Sequence, residues 1–205
     1  MTEKVFSERI FPRYEPESVV KKQMEAFSDP TIPNFSLLNL SCFAKEYFKD
    51  DSFEKEYIKS FLQAVKVLAR EGRKDTNRPE GQFFFNYSYA LPVLYMTRHC
   101  MELTLKRAIR RKGGNPAATH DLKRLWEDFL SMVPAERTVE DHQAIENMGL
   151  FVKALSDIDG TGFDLRYPKD KKGGQYTQDR PLFIDNEQTA CYLNSFVKQL
   201  ELVCV

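Results

Sequence analysis

Three histidines, His99, His120 and His142, are the side chains best suited to move protons near neutral pH. A histidine beside a fixed arginine is a plausible RNA-cleaving pair. The imidazole takes a proton from a 2′-hydroxyl or protonates the leaving oxygen, while the guanidinium stabilises charge on the phosphate. A plainer role is open to each histidine, and His120, at a helix start, would serve equally by capping the helix or filling a core edge. Arg98, Glu102 and Lys106 stand four residues apart and so share one helix face, with Tyr95 and His99 beside them. This stripe has two readings. It is a solvated or interface-facing edge whose Arg98–Glu102 and Glu102–Lys106 pairs contribute about 0.2–0.5 kcal/mol each, or it is the charged lining of a cleft.

Other chemistries lack their signatures. The sequence has no glycine-rich phosphate loop, HExxH, GxSxG or calcium-loop spacing. Cys42, Cys100, Cys191 and Cys204 are scattered in apolar helical patterns with no CxxC, so they read as reduced core residues. The pattern calls for no metal and no cofactor. Thirty basic and thirty acidic residues cancel, so any basic site must be local. The basic run Lys106, Arg107, Arg110, Arg111 and Lys112 is explained by a helix C-terminus, whose dipole favours cations. No apolar run reaches the length of a membrane span, and the first residues lack the apolar segment of a signal peptide. The expectation is a cytoplasmic protein.

The element that must position these residues is the stretch Phe83 to Lys112. Leu91, Leu94, Met101, Leu105 and Ile109 recur on a helical period, with Val93, Cys100, Leu103 and Ala108 as a second row. A helix apolar on this much of its circumference is central to a bundle. Pro92 is expected to kink it, and Gly113-Gly114 followed by Pro116 to end it. Before it, residues 1–34 carry four prolines and read as extended around one short helix. A helix is expected from Phe35 to Phe48. Another is expected from Phe53 to Ala69, with Phe53, Tyr57, Phe61, Val65 and Leu68 inward, Asp51 and Glu54 as a capping box, and Gly72 as its end.

After the central helix, Thr119 is the expected N-cap of a helix burying Leu122, Leu125, Trp126 and Phe129. Thr138 and Asp141 fit a capping box ahead of Ile145, Met148, Val152 and Leu155. The last helix runs from near Asp185 to Leu202 with Ala190, Leu193, Val197 and Leu200 inward. The span from Asp159 to Asp185 has no helical period. Helix joints in compact domains are typically about 2–8 residues, and this one is far longer. Its anchors Phe163, Leu165, Tyr167, Tyr176 and Phe183 argue for an ordered functional loop, with Phe163–Tyr167 as an extended strand and a return strand after Lys171–Gly174.

Three pieces occur in order: Arg98-His99-Cys100-Met101-Glu102-Leu103-Thr104-Leu105-Lys106, then Thr119-His120-Asp121-Leu122 with Leu125-Trp126, then Arg166-Tyr167-Pro168. Together they resemble the HEPN domain (higher eukaryotes and prokaryotes nucleotide-binding), from about Gly81 to the C-terminus. The resemblance implies an all-α antiparallel helical bundle over residues 81–205; residues 1–80, which it does not cover, read as an extension of two or three helices packed on that bundle. It also implies a homodimer, and either a metal-independent RNase or a nucleotide-binding or purely interacting partner protein in a stress, toxin–antitoxin or antiviral system. RNase members carry a histidine shortly after the arginine ahead of the last helix. Here Arg166-Tyr167-Pro168-Lys169-Asp170-Lys171 has none, so the resemblance carries binding further than cleavage. Arg137 and His142 do have that spacing, but at the wrong helix, and they read as a decoy.

The expected site therefore places Arg98, His99, Glu102, His120 and Asp121 along a groove, with Arg166, Tyr167 and Lys171 on phosphate or a base face. His120 and Arg166 are its catalytic candidates. The ligand would be RNA or a nucleotide, and a separately encoded protein partner is a further expectation. The alternative is a catalytically inert dimerisation or partner-binding module, in which Arg166 anchors the long loop through backbone carbonyls. The first reading requires Arg98, His120 and Arg166 on one open cleft; the second requires them buried and mutually satisfied.

Overall fold

The computed structural model describes Glu25 and residues 52–74, 87–134, 138–167 and 184–203. The chain divides into two units, Met1–Glu46 and Tyr47–Val205, and every element below belongs to the second. It is an all-α bundle of five helices among the described residues: α1 Ser52–Lys74, α2 Tyr87–Arg111, α3 Leu122–Leu130, α4 Val139–Ile158 and α5 Asn186–Val203. Helix α2 packs against α1, α3 and α5; α1 also packs against α5, and α4 lies against α3.

The centrality of α2 follows from its composition. Val93, Leu94, Cys100, Met101, Leu105, Ala108 and Ile109 are all buried, on more than one side of the helix. Pro92 lies within it, where it removes one backbone donor from the second turn. The C-terminal stop has the expected form: Gly113 at φ +83°, its N–H bonded to the Arg110 carbonyl, and the Gly114 N–H bonded to Ile109. The basic end of α2 is tied to its neighbours, Arg110 to Glu54 on α1 at 2.7 Å and Arg107 to Glu201 on α5 at 3.9 Å.

The faces expected for α3 and α5 are the buried ones, with Phe196 joining the latter. On α4, Val152 and Leu155 are buried while Ile145 and Met148 pack partly exposed against the core. The Thr138–Asp141 capping box forms in both directions. Other expectations are corrected. On α1, Val65 is buried and Phe61 and Leu68 pack partly exposed against the core as expected, but Ile58 and Ala69 are buried beside them and Tyr57 is exposed. Leu91 on α2 is 40% exposed, and Cys191 is exposed while Cys100 is a core residue. Gly72 does not end α1, which continues to Lys74. A Cβ there would lie 3.1 Å from Tyr89 and 3.2 Å from the Asn186 amide, so this glycine lets α1, α2 and the start of α5 approach closely. The helix expected at 35–48, Asp51, Cys42, Cys204, Lys171 and the return strand lie outside the described residues.

Leu105 is fully buried on the central helix, so Leu105→Ala is expected to cost about 2–5 kcal/mol. Leu150→Ala, at a 59% exposed position, stays within about 0.5 kcal/mol of the parent. Urea unfolding reads both as midpoint shifts at constant slope.

Candidate functional site

The site grows from one buried charge. Arg98 on α2 is 2% exposed. Its Nε donates to the Asp159 carbonyl at 2.8 Å and its Nη2 to the His120 carbonyl at 2.5 Å. The Glu102 carboxylate lies 3.6 Å from Nη1 and the Asp159 carboxylate 3.5 Å from Nε. A buried guanidinium requires this many acceptors, because an unpaired interior charge is heavily penalised. Arg98 thereby joins three segments: its own helix, the entry to α3 and the exit from α4.

Asp159, fully buried just past the last turn of α4, organises the exit. One oxygen accepts from the N–H groups of Gly162 at 2.6 Å, Phe163 at 3.1 Å and Asp164 at 3.3 Å; the other accepts from Leu165 at 3.4 Å. Four consecutive amides gathered on one carboxylate curl the chain. The Arg166 and Tyr167 N–H groups then both bond the Phe163 carbonyl, at 3.0 and 3.2 Å. The extended strand expected at Phe163–Tyr167 is therefore a turn. Gly162 sits inside this knot at φ +79°, and a Cβ there would fall 2.8 Å from Arg98 Nη1.

Glu102, one turn beyond Arg98, is also buried. It accepts from Lys106 Nζ at 2.7 Å and lies 3.0 and 3.1 Å from Nδ1 of His120. Burial pushes its carboxyl up, but hydrogen bonds from Lys106 and His120, with their charges, outweigh that and hold it below the ordinary carboxylate value. The His120 side chain is 48% exposed, with its ring edge-on to Phe163. The cap of α3 is Asp121 rather than Thr119. Its carboxylate accepts from the Lys123 and Arg124 N–H groups, and Thr119 Oγ1 accepts from Asp121 N–H.

The turn delivers Arg166 and Tyr167 to the same region. The Arg166 guanidinium stands 5.4 Å from the centre of the Tyr95 ring and 5.8 Å from that of Phe163, within cation–π range. Its Nε is buried with no hydrogen-bond partner among the described residues. Tyr167, 56% exposed, stacks on Phe163 at 6.4 Å. His99 packs edge-on against Phe61 at 4.7 Å and parallel to Tyr95, its Nδ1 buried and without a partner among the described residues. Burial lowers its basicity; Glu102 opposes this, while Arg166, His120 and Arg98 reinforce it.

Of the expected site residues, Arg98, His99, Glu102, His120, Asp121, Arg166 and Tyr167 thus gather where α2 meets the entry to α3 and the exit from α4, while Lys171 lies outside the described residues. Their roles divide. Arg98 is buried and satisfied, as the inert-module reading requires, so it does not line the expected groove; Asp121 caps a helix, and His120, Arg166 and Tyr167 face or border solvent. Among the described residues, Arg98 anchors the loop through carbonyls. Asp159 and Gly162 were not singled out from the sequence, although an aspartate followed by Gly160 and Gly162 is the composition of a carboxylate-bound turn. His142 is exposed on the first turn of α4. Burial pushes the Cys100 thiol up to about 12, which removes it as a nucleophile. No cluster of metal-ligating side chains occurs among the described residues. Compared with known protein families, curated proteins and solved structures, the chain matches none.

Gly162→Ala combines a left-handed backbone with a collision against Arg98, and is expected to destabilise the protein by about 1–3 kcal/mol in urea unfolding. Stability is also expected to fall on acidification, in two windows. The folded His99 ring is less basic than the ordinary 6.5, so the unfolded chain binds more protons, and stability is lost as pH falls below 6.5. The Glu102 carboxyl is held below 4.5, so its contribution is present above that value and lost as pH falls through the folded one. Unfolding free energies between pH 8 and pH 3 read both windows, and His99→Gln removes the upper one.

Proposed function

We propose that this is a HEPN-like protein that binds RNA or a nucleotide through the surface formed by His120, Arg166 and Tyr167, in a prokaryotic stress, toxin–antitoxin or antiviral setting. One observation carries the reading. The half-buried Arg166 guanidinium lies within cation–π range of the Tyr95 and Phe163 rings, next to an exposed tyrosine and an exposed imidazole. A phosphate needs the first of these groups, a base face the second, and a sugar hydroxyl or phosphate oxygen the third. The charge balance of the chain fits a local grip better than a long basic track.

A second reading, metal-independent RNA cleavage, is favoured by a specific feature: His120 is backed by a buried carboxylate, as general acid–base histidines commonly are. It would use His120 for proton transfer and Arg166 for phosphate charge. Homodimerisation and a protein partner remain part of the proposal on the strength of the resemblance alone.

The test is fluorescence anisotropy of a labelled single-stranded RNA at fixed low salt, followed by incubation in EDTA. Arg166→Ala and Tyr167→Ala are expected to weaken binding at least tenfold, a loss of about 1.4 kcal/mol or more, while His142→Ala leaves it unchanged. Binding indifferent to Arg166 and Tyr167 would overturn the reading. Cleavage in EDTA that disappears in His120→Ala and Arg166→Ala, but persists in His142→Ala, would promote the second.

A further inference from the structure

His120 is gripped twice by one face of α2. Its backbone carbonyl accepts from Arg98, and its ring meets Glu102, four residues further along. Both Glu102 oxygens lie within 3.1 Å of Nδ1, so the ring turns this nitrogen to the carboxylate and its other nitrogen away from it. Glu102 is itself fixed. It is 3% exposed, with Lys106 Nζ on one oxygen and Arg98 Nη1 near the other. Edge contact with Phe163 bounds the ring on a further side.

An ionised carboxylate only accepts hydrogen bonds. The nitrogen facing it must therefore carry the proton, and in the neutral ring the remaining nitrogen must be bare.

We infer that Glu102 is the positioning residue of His120, fixing the neutral ring as its Nδ1–H tautomer so that Nε2 is presented to ligand as an acceptor and proton-taking group. This deepens the proposed RNA- or nucleotide-binding reading and rests on it for its ligand. Arg166 offers donors to phosphate oxygens, and Nε2 offers a lone pair to a hydroxyl or amino group beside that phosphate. The site then discriminates by hydrogen-bond direction. A ligand carrying a donor next to its phosphate satisfies Nε2, whereas one carrying only acceptors there leaves that lone pair unmatched.

Glutamine at 102 tests the idea sharply, because its amide has an acceptor end and a donor end and so satisfies either tautomer. Nitrogen-15 NMR of the neutral His120 ring in the free protein is expected to show Nδ1 protonated and Nε2 bare. In Glu102→Gln the two tautomers are expected to mix, and affinity for a labelled RNA to fall with His120 still in place. A parent ring protonated at Nε2 overturns the inference without any variant needing to fold, and so does a Glu102→Gln ring that keeps a pure Nδ1–H form. Lys106→Met, which removes the other partner of the same Glu102 oxygen, is expected to retain the Nδ1–H form; its loss there would assign the positioning to Lys106 instead. The tautomer is read without RNA. A protein that shows it but binds no RNA therefore supports the positioning role while overturning the proposed ligand.

Discussion

A guanidinium inside a helical core dictates how this end of the bundle is built. Arg98 has fixed donors and almost no solvent, so the surrounding chain must bring acceptors to it. Two are backbone carbonyls from separate connections, at His120 and Asp159. The Asp159 carbonyl is free because it lies at the C-terminal end of α4, where the last carbonyls have no intrahelical partner, and the His120 carbonyl because it precedes the cap of α3 and stands outside that helix's ladder. The arginine thus satisfies groups that would otherwise be orphaned, and in doing so fixes the start of α3 relative to the end of α4. A lysine could not replace it. Its single ammonium cannot reach carbonyls on both sides in the planar arrangement a guanidinium provides.

The same constraint divides the charges of α2 between structure and function. Arg98 and Glu102 look alike in the sequence, as members of an i, i+4 stripe, and both turn out buried. They differ in what they hold. Arg98 holds backbone, so its role is architectural. Glu102 holds a half-exposed side chain, and its influence reaches solvent through the His120 ring. Only the inert-module reading had Arg166 anchor the loop through carbonyls. Among the described residues Arg98 makes such bonds, while the Arg166 guanidinium lies within cation–π range of Tyr95 and Phe163.

Sequence pattern carried the fold a long way where one face of a helix is buried and the other is wet. Helices α3 and α5 have clean apolar rows, and those rows are the buried ones. On α1 the expected row Phe53, Tyr57, Phe61, Val65 and Leu68 is buried only at Val65, with Phe61 and Leu68 half-covered, and the neighbouring Ile58 and Ala69 complete the buried stripe. Close packing against α2 and α5 favours the smaller side chains. The Phe163–Tyr167 segment alternates like a strand, yet no partner strand is described. The Asp159 carboxylate, four to six residues upstream, instead captures its amides. Such capture by a side chain outweighs a local β preference, since strand propensity expresses itself only against a neighbouring strand.

The candidate site was legible as a set of residues and not as a division of labour. Arg98, Glu102, His120 and Arg166 are visible because charged and titratable groups stand out on apolar helices. Burial, which decides whether a charge serves the fold or the ligand, has no signature in a stripe of spacing four. Gly162 makes the point from the other side. It carries no chemistry, but the knot closes only because residue 162 has no Cβ to meet Arg98 Nη1 at 2.8 Å. Arg166 and Tyr167 follow it in the same turn, so their placement depends on a backbone conformation that glycine alone adopts without strain. Fold and site are therefore coupled through the close approach of an arginine and a glycine. A change at either one reaches the exposed residues without touching them.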